Sequence, residues 1–449
     1  MNIILKRIFL TFLILAGMNT FFYAQTQEPV SLTLEKALEI ALSENPTIKI
    51  ADREIQKQKY SKKENLGYLL PKIDGTASYN RNLKTPVMFL PGAFVGDTTG
   101  NVIPVKAGVS NSYNLGVSAT VPLFNMGLYR TIQLSEINIL MSLEKARQSK
   151  LDLKNQVEKT YYAYLLAKDA YDVMSKSMEN AQVSYKDAKN KYEQGLVAEY
   201  DLIRAEVRVS NIRPNLIDAQ NSISTIELQL KMLLGLSLEM PILFEGKISD
   251  YENDYNRYAA MLNYSIDQNS DLKQIDIQEK LLNKQIELQN TEYMPNLSFA
   301  INYNYITQSN DFKFSEYKWF GTPTLGISLQ VPIFSGFTRK NKINQLKMSL
   351  QEAQLQRDYL QSSLNVKAKS DLSDMRKAIE QLESNKDGIR SAEKAFTIAQ
   401  SRYNSGMGTL LELNDSEVAL TQARLNYSQS IYNYMIAKSD YELLIGNDY

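Results

Sequence analysis

Tyr113-Asn114-Leu115-Gly116-Val117-Ser118-Ala119-Thr120-Val121-Pro122-Leu123-Phe124 is the stretch on which the reading of this chain turns. Up to Val121 its apolar and small polar residues alternate strictly, and its last four residues recur as Val331-Pro332-Ile333-Phe334, displaced by 210 positions. Working outward, Leu70-Pro71-Lys72-Ile73 matches Met294-Pro295-Asn296-Leu297 and Asn45 matches Asn269, all displaced by 224. Tyr192, Gly195, Glu206 and Gly235 match Tyr403, Gly406, Glu417 and Gly446, each displaced by 211. Four widely spaced matches at one displacement mean two copies of one structural unit.

Each copy holds two alternating segments, which predict strands at about 72–81, 113–123, 296–305 and 323–333. Ile73, Gly75, Ala77 and Tyr79 form the first apolar set, and Leu297, Phe299, Ile301, Tyr303 and Tyr305 the third. Leu325, Ile327, Leu329, Val331 and Ile333 form the last. Period 2 over about nine to eleven residues suits a tilted membrane strand. A soluble antiparallel sheet with one buried face alternates identically. Two features favour the membrane. The polar set is mainly Ser, Thr, Asn and Gly, as for a wet lumen, and tyrosines gather toward strand ends, as in an interfacial girdle.

Four strands cannot close a barrel, and lipid does not tolerate an open edge. The membrane reading therefore requires several copies: two would give eight strands and three would give twelve. Prolines 71, 122, 295 and 332 are expected at strand ends. Polar loops at about 81–112 and 306–322 are expected outside the cell, which leaves the helices in the periplasm.

After Pro122 no proline occurs until Pro214, and none follows Pro332. Tyr164, Ala167, Tyr171, Met174, Met178, Ala181, Tyr185, Ala188 and Tyr192 keep a 3-4 spacing, and Ile389, Ala392, Phe396, Ala399 and Tyr403 repeat it. This is an a/d packing seam rather than a cofactor site. Helical hairpins are expected at about 127–234 and 337–445, broken at Gly195 and Gly406, where glycine accepts a left-handed cap. Each first helix, at about 65 residues, is on the order of 100 Å long. The chain thus divides into a first repeat (25–236), an equatorial segment (237–256) and a second repeat (257–449).

Lys6, Arg7 and the apolar run Ile8–Ala16 predict a signal peptide over 1–24; an N-terminal anchor helix is the alternative, and polar Asn19 and Thr20 interrupt it. The 50 Lys+Arg balance 50 Asp+Glu, so no nucleic-acid footprint is expected. With neither Cys nor His, thiol nucleophiles, disulfides, Cys/His zinc sites and histidine acid–base pairs are excluded. No catalytic residue or cofactor is expected.

The duplicated strand–strand–hairpin unit and the two Val-Pro-x-Phe motifs resemble the TolC-like outer-membrane efflux and secretion channels. The likeness is greatest at Gly195-Leu196-Val197-Ala198 with Asp201, and at Gly406, Thr409-Leu410-Leu411-Glu412-Leu413 and Asp415. It implies an α+β membrane protein, a homotrimer whose twelve-stranded β-barrel is continuous with an α-helical barrel. The implied role is the outer-membrane exit duct of a tripartite efflux or type I secretion system. Its implied partners are outer-membrane lipid, a periplasmic membrane-fusion adaptor and an inner-membrane pump of RND, ABC or MFS type.

Glu412 and Asp415 stand i and i+3 and share a helix face, so three-fold symmetry would stack them as acidic rings. With Asp201 they resemble the family's pore constriction; favouring a helix N-terminus is the alternative for these carboxylates. Tyr403 and Tyr200 are the implied closed-state contacts, with Tyr403 closing onto Asp201. Gly408 stands where the family often has a basic residue. Gly195, Leu196, Val197, Gly406 and Met407 are the implied adaptor-docking tips. An exported adhesive coiled coil without a pore, or an exported enzyme, are the competing readings; substrate is not written in this chain.

Overall fold

The computed structural model describes residues 30–96, 101–262 and 264–446; the expected signal peptide lies outside the described residues. In chain order the elements begin with β1 (Val30–Leu32), α1 (Leu34–Glu44), α2 (Pro46–Gly67) and β2 (Lys72–Arg81). A hairpin of β3 (Val87–Pro91) and β4 (Val102–Lys106) precedes β5 (Asn111–Phe124), α3 (Met126–Glu193) and α4 (Glu199–Leu234). After β6 (Ile242–Phe244) come α5 (Ser270–Asn290), β7 (Asn296–Ser309), β8 (Phe320–Gln330), α6 (Thr338–Asn404) and α7 (Leu410–Ile445).

The four alternating segments form one antiparallel sheet of order β2-β5-β7-β8. Register brings their alternations into phase. Gly75, Val117, Tyr303 and Pro323 lie in one row, and Ile73, Ala119, Ile301 and Leu325 in the next. Opposite residues share a face, so one face is mainly apolar, with Arg81, Asn111, Thr307 and Ser309 at its loop end. The other carries rows such as Asp74-Ser118-Asn302-Thr324 and Thr76-Gly116-Asn304-Thr322. At Gly116 a Cβ would come within 2.7 Å of both the Thr76 hydroxyl and the Asn304 side-chain oxygen, so those two side chains take the space a larger residue would fill.

The apolar face is bare: Leu325 is 73% and Ile327 70% exposed, and both outer strands are exposed at every position. A soluble sheet would cover this much apolar surface, whereas lipid does so for a membrane strand. Among the described residues no helix is long and apolar enough to cross a membrane. At the loop end Tyr79 stacks on Tyr113 at 4.9 Å, Phe314 packs edge-on to Tyr113 at 5.3 Å, and Trp319 stacks on Tyr305 at 5.2 Å. That belt suits the membrane–water boundary.

Details differ from expectation. β7 runs on to Ser309 because β5, which starts at Asn111, still faces it there after the apolar alternation has faded. β8 starts earlier, opposite Ile306, and stops at Gln330, since no strand lies opposite Val331-Pro332-Ile333-Phe334. Pro122 sits inside β5, beside an irregularity between Pro122 and Phe124, rather than at its end. The loop expected at 81–112 contains the β3–β4 hairpin. The helices α1, α2 and α5 were not expected; α2 and α5 begin at Asn45 and Asn269, whose side chains accept from the Thr47 and Leu272 N–H groups as N-caps.

The chain packs as two units. One comprises 42–156, 254–387 and 433–446 and holds the sheet; in it Asn269 Nδ2 donates to Leu444 O at 2.8 Å, below the α7 C-terminus. The other comprises 30–41, 157–253 and 388–432. Here β1 and β6 pair in parallel and lie on α3, where Tyr161 and Tyr164 meet Phe244 edge-on. Of this ribbon β6 falls within residues 237–256, whereas β1 lies near the start of the first repeat.

Candidate functional site: the two hairpin tips

The tips lie in the second unit and repeat one another in their backbone. Leu196 N donates to Lys191 O at 2.8 Å, and Met407 N donates to Arg402 O at 2.9 Å. Between them Gly195 and Gly406 take φ of +71° and +76°, the left-handed conformation that lets such a cap close without a Cβ penalty. Leu196 and Met407 are exposed just beyond the glycines, and Val197 is half-buried.

The two return helices start differently. Ala198 caps α4 without a side-chain bond, and Glu199 and Asp201 stand in its first turn, where carboxylates offset the unpaired N–H groups. Tyr200 is exposed, its hydroxyl accepting from Arg204 at 3.4 Å. At the second tip Glu412 N donates to Thr409 Oγ1 and Thr409 N donates to Glu412 Oε2, both at 3.2 Å. This is a reciprocal capping box, so Glu412 has a local task at the helix start. Asp415 is exposed one turn on.

The structure does not bring Tyr403 to Asp201. Its hydroxyl donates to Asp187 Oδ2 at 2.9 Å, and Lys191 Nζ reaches the same oxygen at 2.8 Å while lying 4.2 Å from the Tyr403 ring centre. Burial, and next the bond to Asp187, raise the Tyr403 phenol above its usual range, so it stays a neutral donor. The hydrogen bond from Lys191 to Asp187 raises the lysine, which stays charged. Beneath this cluster Ala188, Ala205 and Leu410 form a small core, against which Tyr185 and Tyr403 pack. At Gly408 a Cβ would stand 3.0 Å from the Arg402 Cβ and 3.1 Å from the Tyr403 nitrogen, so this close turn favours glycine over a basic residue.

A second polar cluster was not anticipated. Glu417 is 4% exposed, and Arg208 Nη2 stands 3.9 Å from its Oε2. Burial raises its carboxyl above the usual glutamate value, while Arg208, Asn180 and Ser177 draw it back. Its partner in the duplication, Glu206, is exposed. Among the described residues no group of three His, Cys, Asp or Glu side chains is placed to hold a metal ion.

The outer membrane efflux protein family profile matches residues 37–236 and 261–447, which is most of the chain and both repeats. The chain belongs to the outer membrane efflux protein family. It is 21% identical over 353 residues to outer membrane protein TolC of Escherichia coli K12, covering 75% of this chain and 70% of that protein. It is 20% identical over 379 residues to TolC of Vibrio cholerae, covering 84% and 82%. Among solved structures the Campylobacter jejuni CmeC outer membrane channel aligns with a TM-score of 0.69 at 19% identity, covering 92% of this chain and 85% of that one. The open state of the Neisseria gonorrhoeae MtrE channel gives 0.67 at 18% identity, covering 92% and 88%. As an outer membrane efflux protein the chain is a transport protein rather than an enzyme, located in the outer membrane with its helices in the periplasm.

Proposed function

We propose that three copies of this chain close into a twelve-stranded barrel and form a passive exit duct. Small molecules or proteins would reach it from an inner-membrane pump, of RND, ABC or MFS type, through a periplasmic adaptor. The observation that carries this reading is the bare apolar sheet with two uncovered outer strands, which lipid tolerates only in a closed ring. Similarity to the TolC-like channels supplies the number three. Division into a first repeat, an equatorial segment and a second repeat is the frame for this assembly.

In this reading the tips are the gate. Asp201, Glu412 and Asp415 line the constriction, and around a three-fold axis they select cations. Tyr403 holds the closed state through Asp187 and Lys191 of its own chain, in place of Asp201, with Tyr200 on the exposed side. Gly195, Leu196, Val197, Gly406 and Met407 dock the adaptor, the exposed Leu196 and Met407 supplying apolar contact.

The test is single-channel conductance in planar bilayers. Glu412→Gln with Asp415→Asn is expected to bring the cation-to-anion permeability ratio severalfold nearer to unity. Unchanged current and selectivity would remove the acidic-ring assignment. Separately, Asp187→Asn is expected to raise the open fraction by weakening the Tyr403 anchor, while Asp201→Asn leaves that anchor in place. The reverse outcome would return the closing contact to Asp201.

A further inference from the structure

The internal duplication carries more than fold similarity: it transfers register. Displacing Lys72 by 224 and Thr120 by 210 turns the β2–β5 pair Lys72–Thr120 into Asn296–Gln330, a pair observed between β7 and β8. The far end agrees, since Arg81–Asn111 becomes Tyr305–Gly321, also observed. Displacements found in the sequence therefore reproduce the ladder within each repeat.

The joint between repeats is β5 with β7, the second strand of one repeat against the first strand of the next. Among the described residues only one such joint exists, because β8 and β2 are the sheet's two edges. Applying the same displacements to it gives the joint between copies. Ser118–Asn302 becomes Ser328–Ser78, Thr120–Ala300 becomes Gln330–Thr76, and Phe124–Leu297 becomes Phe334–Ile73.

We infer that β8 of one copy pairs with β2 of the next in this single register, and that Val331–Phe334 becomes strand only in that joint. The inference rests on the ring closure proposed above. Three further observations support it. In the first repeat Val121–Phe124 is part of β5 because β7 faces it, whereas the same motif in the second repeat lies beyond β8, with Ile333 94% exposed. The transferred register keeps faces in phase, setting Leu329 opposite Ala77 and Ile327 opposite Tyr79 on the apolar side; a one-residue slip would place every apolar side chain on the wrong face. It also sets Leu325 opposite Arg81, the last residue of β2, which leaves Pro323 beyond the ladder, where a missing N–H costs nothing.

A two-residue slip would keep the faces, so the test must exclude it. The chain has no cysteine, which makes engineered pairs clean. Ser78→Cys with Ser328→Cys, and Thr76→Cys with Gln330→Cys, are the matched pairs on the polar face. Ser78→Cys with Gln330→Cys, and Thr76→Cys with Ser328→Cys, are the shifted pairs. Within one chain β2 and β8 stand three strand spacings apart, roughly 14 Å, so any disulfide joins two copies. On mild oxidation of outer-membrane fractions, both matched pairs are expected to give about tenfold more covalent oligomer than the shifted ones, whose Cβ atoms are about 7–8 Å apart. Heat-modifiable oligomer without oxidant reports folding of every variant. Shifted pairs matching or exceeding the matched yield would overturn the register and leave the ring intact. Oligomer with no disulfide in any pair would overturn the β8–β2 joint. Absence of oligomer from the unsubstituted chain would overturn the ring reading itself.

Discussion

Tyr161→Ala is expected to cost about 3–5 kcal/mol, the range for truncating a buried large aromatic. Tyr161 is 1% exposed, and its hydroxyl donates to Glu245 O at 2.6 Å and Leu32 O at 3.2 Å. Leu32 ends β1 and Glu245 directly follows β6, so both carbonyls lie at the same end of the parallel ribbon and one side chain ties both strands to α3. Burial raises its phenol well above the usual range, and it stays a neutral donor. Truncation removes the ring that packs edge-on to Phe244 and leaves two carbonyls without this donor. Tyr161→Phe keeps the packing and is expected to cost about 1 kcal/mol, the net worth of one hydrogen bond, because Leu32 O still accepts from Glu245 N at 3.0 Å. Hydrogen exchange at the β6 amides measures both. Protection in Tyr161→Ala equal to that of the parent would mean that the ribbon is held by other contacts.

The strands were legible because each alternates over a whole element. Their ends were less so. At Thr307, Gln308 and Ser309 the composition reads as loop, yet the ladder with β5 continues, since backbone hydrogen bonds do not require an apolar partner. Asn45 and Asn269 were visible as a matched pair, but as repeat markers; that both are N-caps follows from Pro46 and the acceptor geometry at each. The capping box at Thr409 and Glu412 is a readable spacing that the pore reading overshadowed.

Side-chain partners at the tips were beyond the sequence for a different reason. A heptad seam fixes which faces meet but leaves the axial stagger of two helices free by whole turns. Tyr403 on α6 meets Asp187 on α3 rather than Asp201 on α4, a choice of partner that the seam does not specify. Asp187 and Lys191 are i and i+4, so their pairing was readable, whereas their approach to Tyr403 was not. Glu206 and Glu417 show the same limit: equivalent in the duplication, one faces solvent and the other is enclosed, because the repeats have different neighbours.

That enclosed carboxylate gives the second large effect. Removing one partner of a buried ion pair costs about 3–5 kcal/mol, because the remaining charge is stranded. Arg208→Ala is expected at the lower end, about 3 kcal/mol, since the Arg208 side chain keeps 22% exposure and stands 3.9 Å from Glu417. The pH dependence follows from the direction of the Glu417 shift. Burial raises its native pKa above the ordinary value of 4.5, so between those two values the native protein holds a proton that the unfolded chain has released. The resulting stability is fully present below 4.5 and is lost as pH rises through the raised native value. The cost of Arg208→Ala should therefore shrink on acidification, because a protonated Glu417 no longer needs the guanidinium. Glu417→Gln keeps the shape and removes the charge, so combined with Arg208→Ala it should recover most of the loss and flatten the pH response. Thermal melting of the four proteins at about pH 4, below the ordinary glutamate value, and at about pH 8 measures the cycle. Equal costs for Arg208→Ala at both pH values would show that Arg208 acts through packing, including its contact with Ser177, and not through the charge on Glu417.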